Sequence, residues 1–165
     1  MHNDVVRRLR VIGLGNSIVT DDAVGLHVAQ AVRERLRRHP LGHCEVDVVE
    51  AEVGGFALLE LMAGFDGAVI VDALDVVDRR PGDVVLLDSP AHGTSLRLCS
   101  PHEINLPAAL EVGLQLGYQL PEQVEIVAIQ GEEMRTFGER LTPAVAAAVP
   151  RAVDEVLRLL TEMSN

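Results

Sequence analysis

Apolar residues fall along this chain in short blocks whose internal spacing changes from one block to the next. Residues 10–14 hold Val11-Ile12-Gly13-Leu14, an apolar run closed by glycines, and predict a strand. Behind it Val24, Val28, Ala31, Val32 and Leu36 recur at near-helical spacing. Arginines occupy much of the rest of that stretch, so residues 21–38 predict a helix, which Pro40 and Gly42 end. Val46, Val48 and Val49 are the β-branched members of a second strand over 44–49. Gly54-Gly55 predicts a turn and 56–62 a short helix. Residues 68–71 are continuously apolar, which suits a parallel strand buried on both faces. A turn at 79–83 leads into a strand over 84–87. The link before it is too short for a helical crossover, so an antiparallel orientation is expected. Residues 89–99 are the least regular stretch. A helix over 102–116 and a strand over 124–129 follow. Thr142 as N-cap and Pro143 at the first helical position start a last helix that runs to about residue 163.

Strand and helix alternate throughout. The expectation is one α/β domain over residues 1–165: a three-layer sandwich with a mostly parallel, twisted sheet of about five strands and helices on both faces. Aromatic residues make up only 2%, with no Trp, so the core must come from Val, Leu, Ile and Ala. The same scarcity removes the stacking platforms that single-stranded nucleic acid needs. A net charge of −11 repels phosphate backbones and anionic lipid, so neither nucleic acid nor membrane is an expected partner. The local basic cluster of Arg33, Arg35, Arg37 and Arg38 lies at a predicted helix C-terminus, where cations favour the macrodipole. No apolar stretch reaches the roughly 18 residues of a membrane span, and no signal-peptide pattern precedes the first strand. Cys44 and Cys99 make no disulfide framework. A cytoplasmic protein is expected, and a monomer, because no apolar surface stripe is evident beyond the core faces.

Three polar residues sit where a strand hands over to a helix, the edge at which open α/β sheets bind ligands. Asp22 follows the first strand, Asp72 ends the run Val69-Ile70-Val71, and His102 opens a helix in Ser100-Pro101-His102-Glu103. Two carboxylates and an imidazole converging there suit a divalent metal or hydrolysis. Each has a plainer alternative. Carboxylates at Asp21 and Asp22 favour a helix N-terminus by themselves. However, Gly25, where a helix prefers Ala, implies that another backbone or a partner comes close. Asp72 could bond a neighbouring backbone amide; a charge at that place is otherwise costly. Ser100 and Glu103 make the pattern of a capping box around His102, and a positive helix end disfavours the imidazolium form, which suits a metal ligand. The alternative is a surface histidine with no task. Cys99 and His102 also permit a nucleophile pair, though a small buried thiol is the simpler reading. Gly13-Leu14-Gly15 resembles the start of a dinucleotide fingerprint, but Ile18 stands where its third glycine belongs. No H-E-x-x-H, G-x-S-x-G or paired C-x-x-C occurs.

Taken in order, these blocks resemble the hydrogenase maturation proteases, the endopeptidases that finish the large subunit of nickel-iron hydrogenases. Gly13-Leu14-Gly15-Asn16 with Thr20-Asp21-Asp22-Ala23-Val24-Gly25 is similar to the family's opening block. Val71-Asp72-Ala73, then Ser100-Pro101-His102 with Leu106, then Gln130 and Gly138-Glu139-Arg140-Leu141-Thr142-Pro143 resemble later ones. The resemblance implies that Asp22, Asp72 and His102 bind a divalent metal and form the catalytic site. The metal is nickel, supplied by the hydrogenase large-subunit precursor, whose C-terminal extension is then removed. In the isolated protein another divalent metal could take its place. The chemistry implied is either aspartic-type or metal-assisted, and a non-proteolytic metal-binding chaperone of the large subunit is the alternative. Two departures stand out. The first ligand is Asp, where some members have Glu. The family's Asp-Gly-Gly-Thr-like loop after the second strand is replaced by Glu50-Ala51-Glu52-Val53-Gly54-Gly55. Glu50, Glu52, Gly54 and Gly55 are therefore expected to form a substrate-specificity loop.

Overall fold

β1 (Arg7–Leu14), α1 (Val24–Arg38), β2 (Cys44–Ala51), α2 (Phe56–Met62), β3 (Gly67–Leu74), β4 (Val84–Leu87), α3 (Leu106–Gln115), β5 (Gln123–Gln130) and α4 (Pro143–Met163) follow one another along the chain. This computed structural model describes residues 6–42, 44–54, 56–87 and 106–165. The expectations for Gly55, for the irregular stretch 89–99 with Cys99, and for His102 with its Ser100–Glu103 capping box lie outside the described residues. The described strands form one five-stranded sheet in the order β2-β1-β3-β5-β4. β1, β2, β3 and β5 are parallel, and β4 runs antiparallel to β5 from Val84↔Ile129 to Leu87↔Ile126, as its short preceding link requires.

The sheet separates two apolar layers. Leu9, Val11, Val69, Val71, Val127 and Ile129 pack against α1 and α4. Ile12, Ile70, Ile126 and Ala128 face Leu58, Leu59 and Met62 of α2 and Leu106 of α3. β3 is buried at every position because it is central and covered on both faces. This is the three-layer α/β sandwich that the alternation predicts.

β1 starts at Arg7, three residues before the predicted strand does. Arg7 and Arg8 pair in register with Cys44 and Glu45, so the ladder extends past the hydrophobic pattern. The long basic side chains make this tolerable by laying their stems along the strand end. The guanidinium of Arg8 lies 4.9 Å and that of Arg10 4.0 Å from the ring centre of Phe65. Arg10 Nη1 also donates to the Leu61 carbonyl at 2.9 Å and pairs with Asp47. The predicted first helix is divided: Asp21–Ala23 form a 3-10 turn, and α1 begins at Val24. At the last helix Thr142 occupies the N-cap position and Pro143 the first turn, but the Thr142 hydroxyl does not cap the helix. It donates to the Asp21 carboxylate instead.

Candidate active site

The chain passes from β1 through α1 to β2 on one side, then through α2 back across to β3 on the other side of β1. The connections therefore part between β1 and β3, and the carboxyl ends of these strands border the switch-point crevice of an open α/β sheet. Asp22 follows β1, and Asp72 lies near the end of β3.

Close backbone approach brings the two segments together. A Cβ on Gly25 would stand 2.1 Å from the Leu14 carbonyl oxygen and 2.4 Å from that of Val71, the residue before Asp72. A Cβ on Gly13 would stand 2.2 Å from the Gly25 carbonyl oxygen. The first turn of α1 thus rests directly on the ends of β1 and β3, which only hydrogen at these two α-carbons permits. The expectation that another backbone comes close to Gly25 is met by Leu14 and Val71. The 3-10 turn carrying Asp22, one turn earlier, packs against β3.

Asp22 is 1% exposed and Asp72 fully buried. Asp72 Oδ1 accepts the N–H of Ala73 at 2.8 Å, so the backbone bond considered for it is present. A carboxylate buried near the end of an apolar strand is costly unless it is paired, solvated or bound to a cation. Asp21, also fully buried, differs from its neighbour. Its Oδ2 accepts the N–H groups of Glu132 and Glu133 at 3.0 and 2.9 Å, and its Oδ1 accepts that of Thr142 at 2.8 Å. The Thr142 hydroxyl also donates to this carboxylate, at 2.9 Å to Oδ2. Of the two adjacent aspartates, Asp21 is therefore bound into the segment between β5 and α4. No local pattern in the sequence announces this role, because its partners lie more than a hundred residues away.

Glu50 and Glu52 line an open cleft of about 320 Å³ beside the same turn, together with Ser17, Ala23, His27 and Gln30. Glu52 accepts the Ser17 N–H at 2.9 Å, tying the loop after β2 to the loop after β1. Glu50 accepts from Gln30 at 2.7 Å and from Arg33 at 2.6 Å. Partial burial pushes its carboxyl up, but the hydrogen bonds from Gln30 and Arg33 and the charge of Arg33 outweigh this and hold it below the ordinary range. Arg33 of the basic cluster thus has a partner across the cleft wall, and Arg37 pairs with Glu34 within α1. Gly54 follows β2 at the same end of the sheet. Gln130, at the end of β5, accepts the Val76 N–H at 3.2 Å and so anchors the loop after β3.

Among the described residues, no three His, Cys, Asp or Glu side chains gather to hold a metal ion. Asp22 and Asp72 contribute two acidic oxygen donors, which suit a divalent cation. The third expected ligand, His102, lies outside the described residues.

The molecule is thus of the α/β class, with carboxylates buried at the switch point of its sheet. The sequence profile of the HycI hydrogenase maturation protease family matches residues 26–159. The chain is 30% identical over 159 residues to the hydrogenase 2 maturation protease of Escherichia coli K12, covering 94% of this chain and 92% of that one. Its fold superposes on the hydrogenase maturating endopeptidase HybD of E. coli with a TM-score of 0.72, at 28% identity, over 94% of this chain and 93% of the other. The [NiFe] hydrogenase maturation protease HybD of Thermococcus kodakarensis shares the fold at a TM-score of 0.67 and 23% identity, over 92% and 98% of the two chains. The chain belongs to the hydrogenase maturation protease family.

Proposed function

We propose that this protein is an endopeptidase that removes the C-terminal extension of a nickel-loaded [NiFe]-hydrogenase large-subunit precursor, with the nickel of the precursor as its recognition element. The observation that carries the reading is the burial of Asp22 and Asp72 at the switch point of a maturation-protease fold. Exposed apolar side chains support a polypeptide substrate. Ile18, Phe56, Val77 and Phe137 follow β1, β2, β3 and β5 and stand around the same edge. Asp22, Asp72 and His102 are the proposed ligands of the substrate's nickel. Three protein ligands leave positions for water or for groups of the precursor. In an aspartic-type course, one carboxylate takes a proton from the attacking water and the other, protonated, gives one to the leaving amine. Glu50 and Glu52, with Gly54 and Gly55, form the proposed specificity loop, because Glu50 and Glu52 line the cleft beside the Asp22 turn.

Intact-mass spectrometry of a cognate nickel-loaded precursor tests this. Wild type is expected to release a single C-terminal peptide, and His102→Ala is expected to release none. An unchanged precursor mass with wild type favours a metal-binding chaperone that holds the large subunit without cutting it. Replacing Glu50 and Glu52 together with Gln is expected to alter the ratio of cognate to non-cognate processing. An unchanged ratio removes them from the specificity loop.

A further inference from the structure

We infer that Asp21 is a positioning residue for the proposed site: it fixes the carboxylate of Asp22 by locking the 3-10 turn onto the connection between β5 and α4. This rests on the reading of Asp22 as a site carboxylate.

Asp21 is fully buried, yet its recorded hydrogen bonds come from backbone amides and a hydroxyl, not from a basic side chain. Several N–H groups converging on one carboxylate make a strong, charge-assisted set. One of them is the Thr142 amide at the start of α4. The positive end of that 21-residue helix adds further stabilisation. The backbone reinforces the clasp. Asp21 N–H donates to the Glu133 carbonyl at 3.1 Å and Thr20 N–H to that of Thr136 at 3.1 Å, while Val19 and Phe137 form an antiparallel bridge. The turn is thus held from its main chain and its side chain at once.

Direction follows from the turn itself. A 3-10 helix has three residues per turn, so consecutive side chains diverge by about 120°. With Asp21 committed to the β5–α4 side, the bearing of Asp22 is set. Thr142 takes part at the expense of its own helix, since its hydroxyl serves Asp21 instead of capping α4. An Asn at position 21 would present an NH₂ group to N–H donors in either flip, so it cannot reproduce the set.

The test measures kcat and KM for precursor processing by wild type, Asp21→Asn, Thr142→Val and Thr142→Ser, at a temperature where circular dichroism shows each to be folded. Asp21→Asn is expected to lower kcat at least tenfold with KM within twofold. Thr142→Val, which keeps the backbone amide but loses the hydroxyl, should show a smaller fall in kcat, and Thr142→Ser should restore the wild-type value. A purely structural clasp would lower melting temperature and leave kcat per folded molecule unchanged, and that result overturns the inference. If Asp21→Asn does not fold, the Thr142 pair decides: equal kcat for Val and Ser overturns it as well. Wild type that leaves the precursor uncut overturns the function proposed above, and this inference with it. Active wild type with indifferent variants overturns only the role of Asp21.

Discussion

One methyl group at Gly25 would meet two carbonyl oxygens, Leu14's at 2.1 Å and Val71's at 2.4 Å, and neither can rotate away as a side chain would. Gly25→Ala is therefore expected to cost about 3 kcal/mol, the upper end for overpacking, or roughly 9 °C of melting temperature for a chain of this size, measurable by thermal denaturation. Asp72→Asn retains an oxygen to accept the Ala73 N–H, so its fold should survive while precursor processing drops by about 100-fold or more. Glu50 gives a pH-dependent case. Its carboxyl is held below its ordinary value of 4.5, so it stabilises the fold above that value, and the contribution is lost as pH falls through the lower folded-state value. The group is largely solvated, and screening limits the effect. Glu50→Gln should cost about 0.5 kcal/mol in urea titrations at pH 7, and the gap to wild type should close on acidification below 4.5.

Among the helices, α4 carries an internal contradiction. Pro150 sits on its exposed face, removing one helical hydrogen bond and crowding the preceding turn. Pro150→Ala should raise stability by about 2 kcal/mol, somewhat under the full propensity difference because Pro also restricts the unfolded chain. A shift in the urea midpoint will show it. The elements themselves were largely legible in the sequence. Val46, Val48 and Val49 marked β2, the unbroken Ala68–Val71 run marked β3, and the short link before Val84 gave the antiparallel sense of β4. What was hidden depended on distance along the chain. Arg7 and Arg8 join β1 only because β2 pairs beside them and Phe65 receives the guanidinium of Arg8. The Thr142 hydroxyl leaves its own helix only because Asp21 is there to accept it. The site divides in the same way. Asp22 and Asp72 stand out in the sequence because they interrupt apolar patterns at strand ends, and Gly25 because it interrupts a helix; the structure buries both carboxylates and packs two backbone carbonyls against Gly25. Asp21 resembles its neighbour in sequence and is set apart by the amides of Glu132, Glu133 and Thr142 and by the Thr142 hydroxyl.

For the molecule as a whole, the sheet is most protected at its centre. β3 is buried along its full length, whereas β4 is a four-residue edge strand with Leu86 43% exposed. Hydrogen exchange should therefore show the β3 amides opening only with global unfolding, and those of β4 opening earlier. The same central placement bears on how the protein is made. β3 pairs with β1 on one side and with β5 on the other, and both partners lie tens of residues away. Closing such distant loops slows folding. During synthesis from the N-terminus, the apolar strand that will be the middle of the sheet has one open edge until β5 has emerged. An unpaired apolar edge recruits other chains. The newborn chain is thus exposed to self-association for as long as the ribosome takes to travel from Leu74 to Gln130, and the last parallel strand ends that interval when it docks.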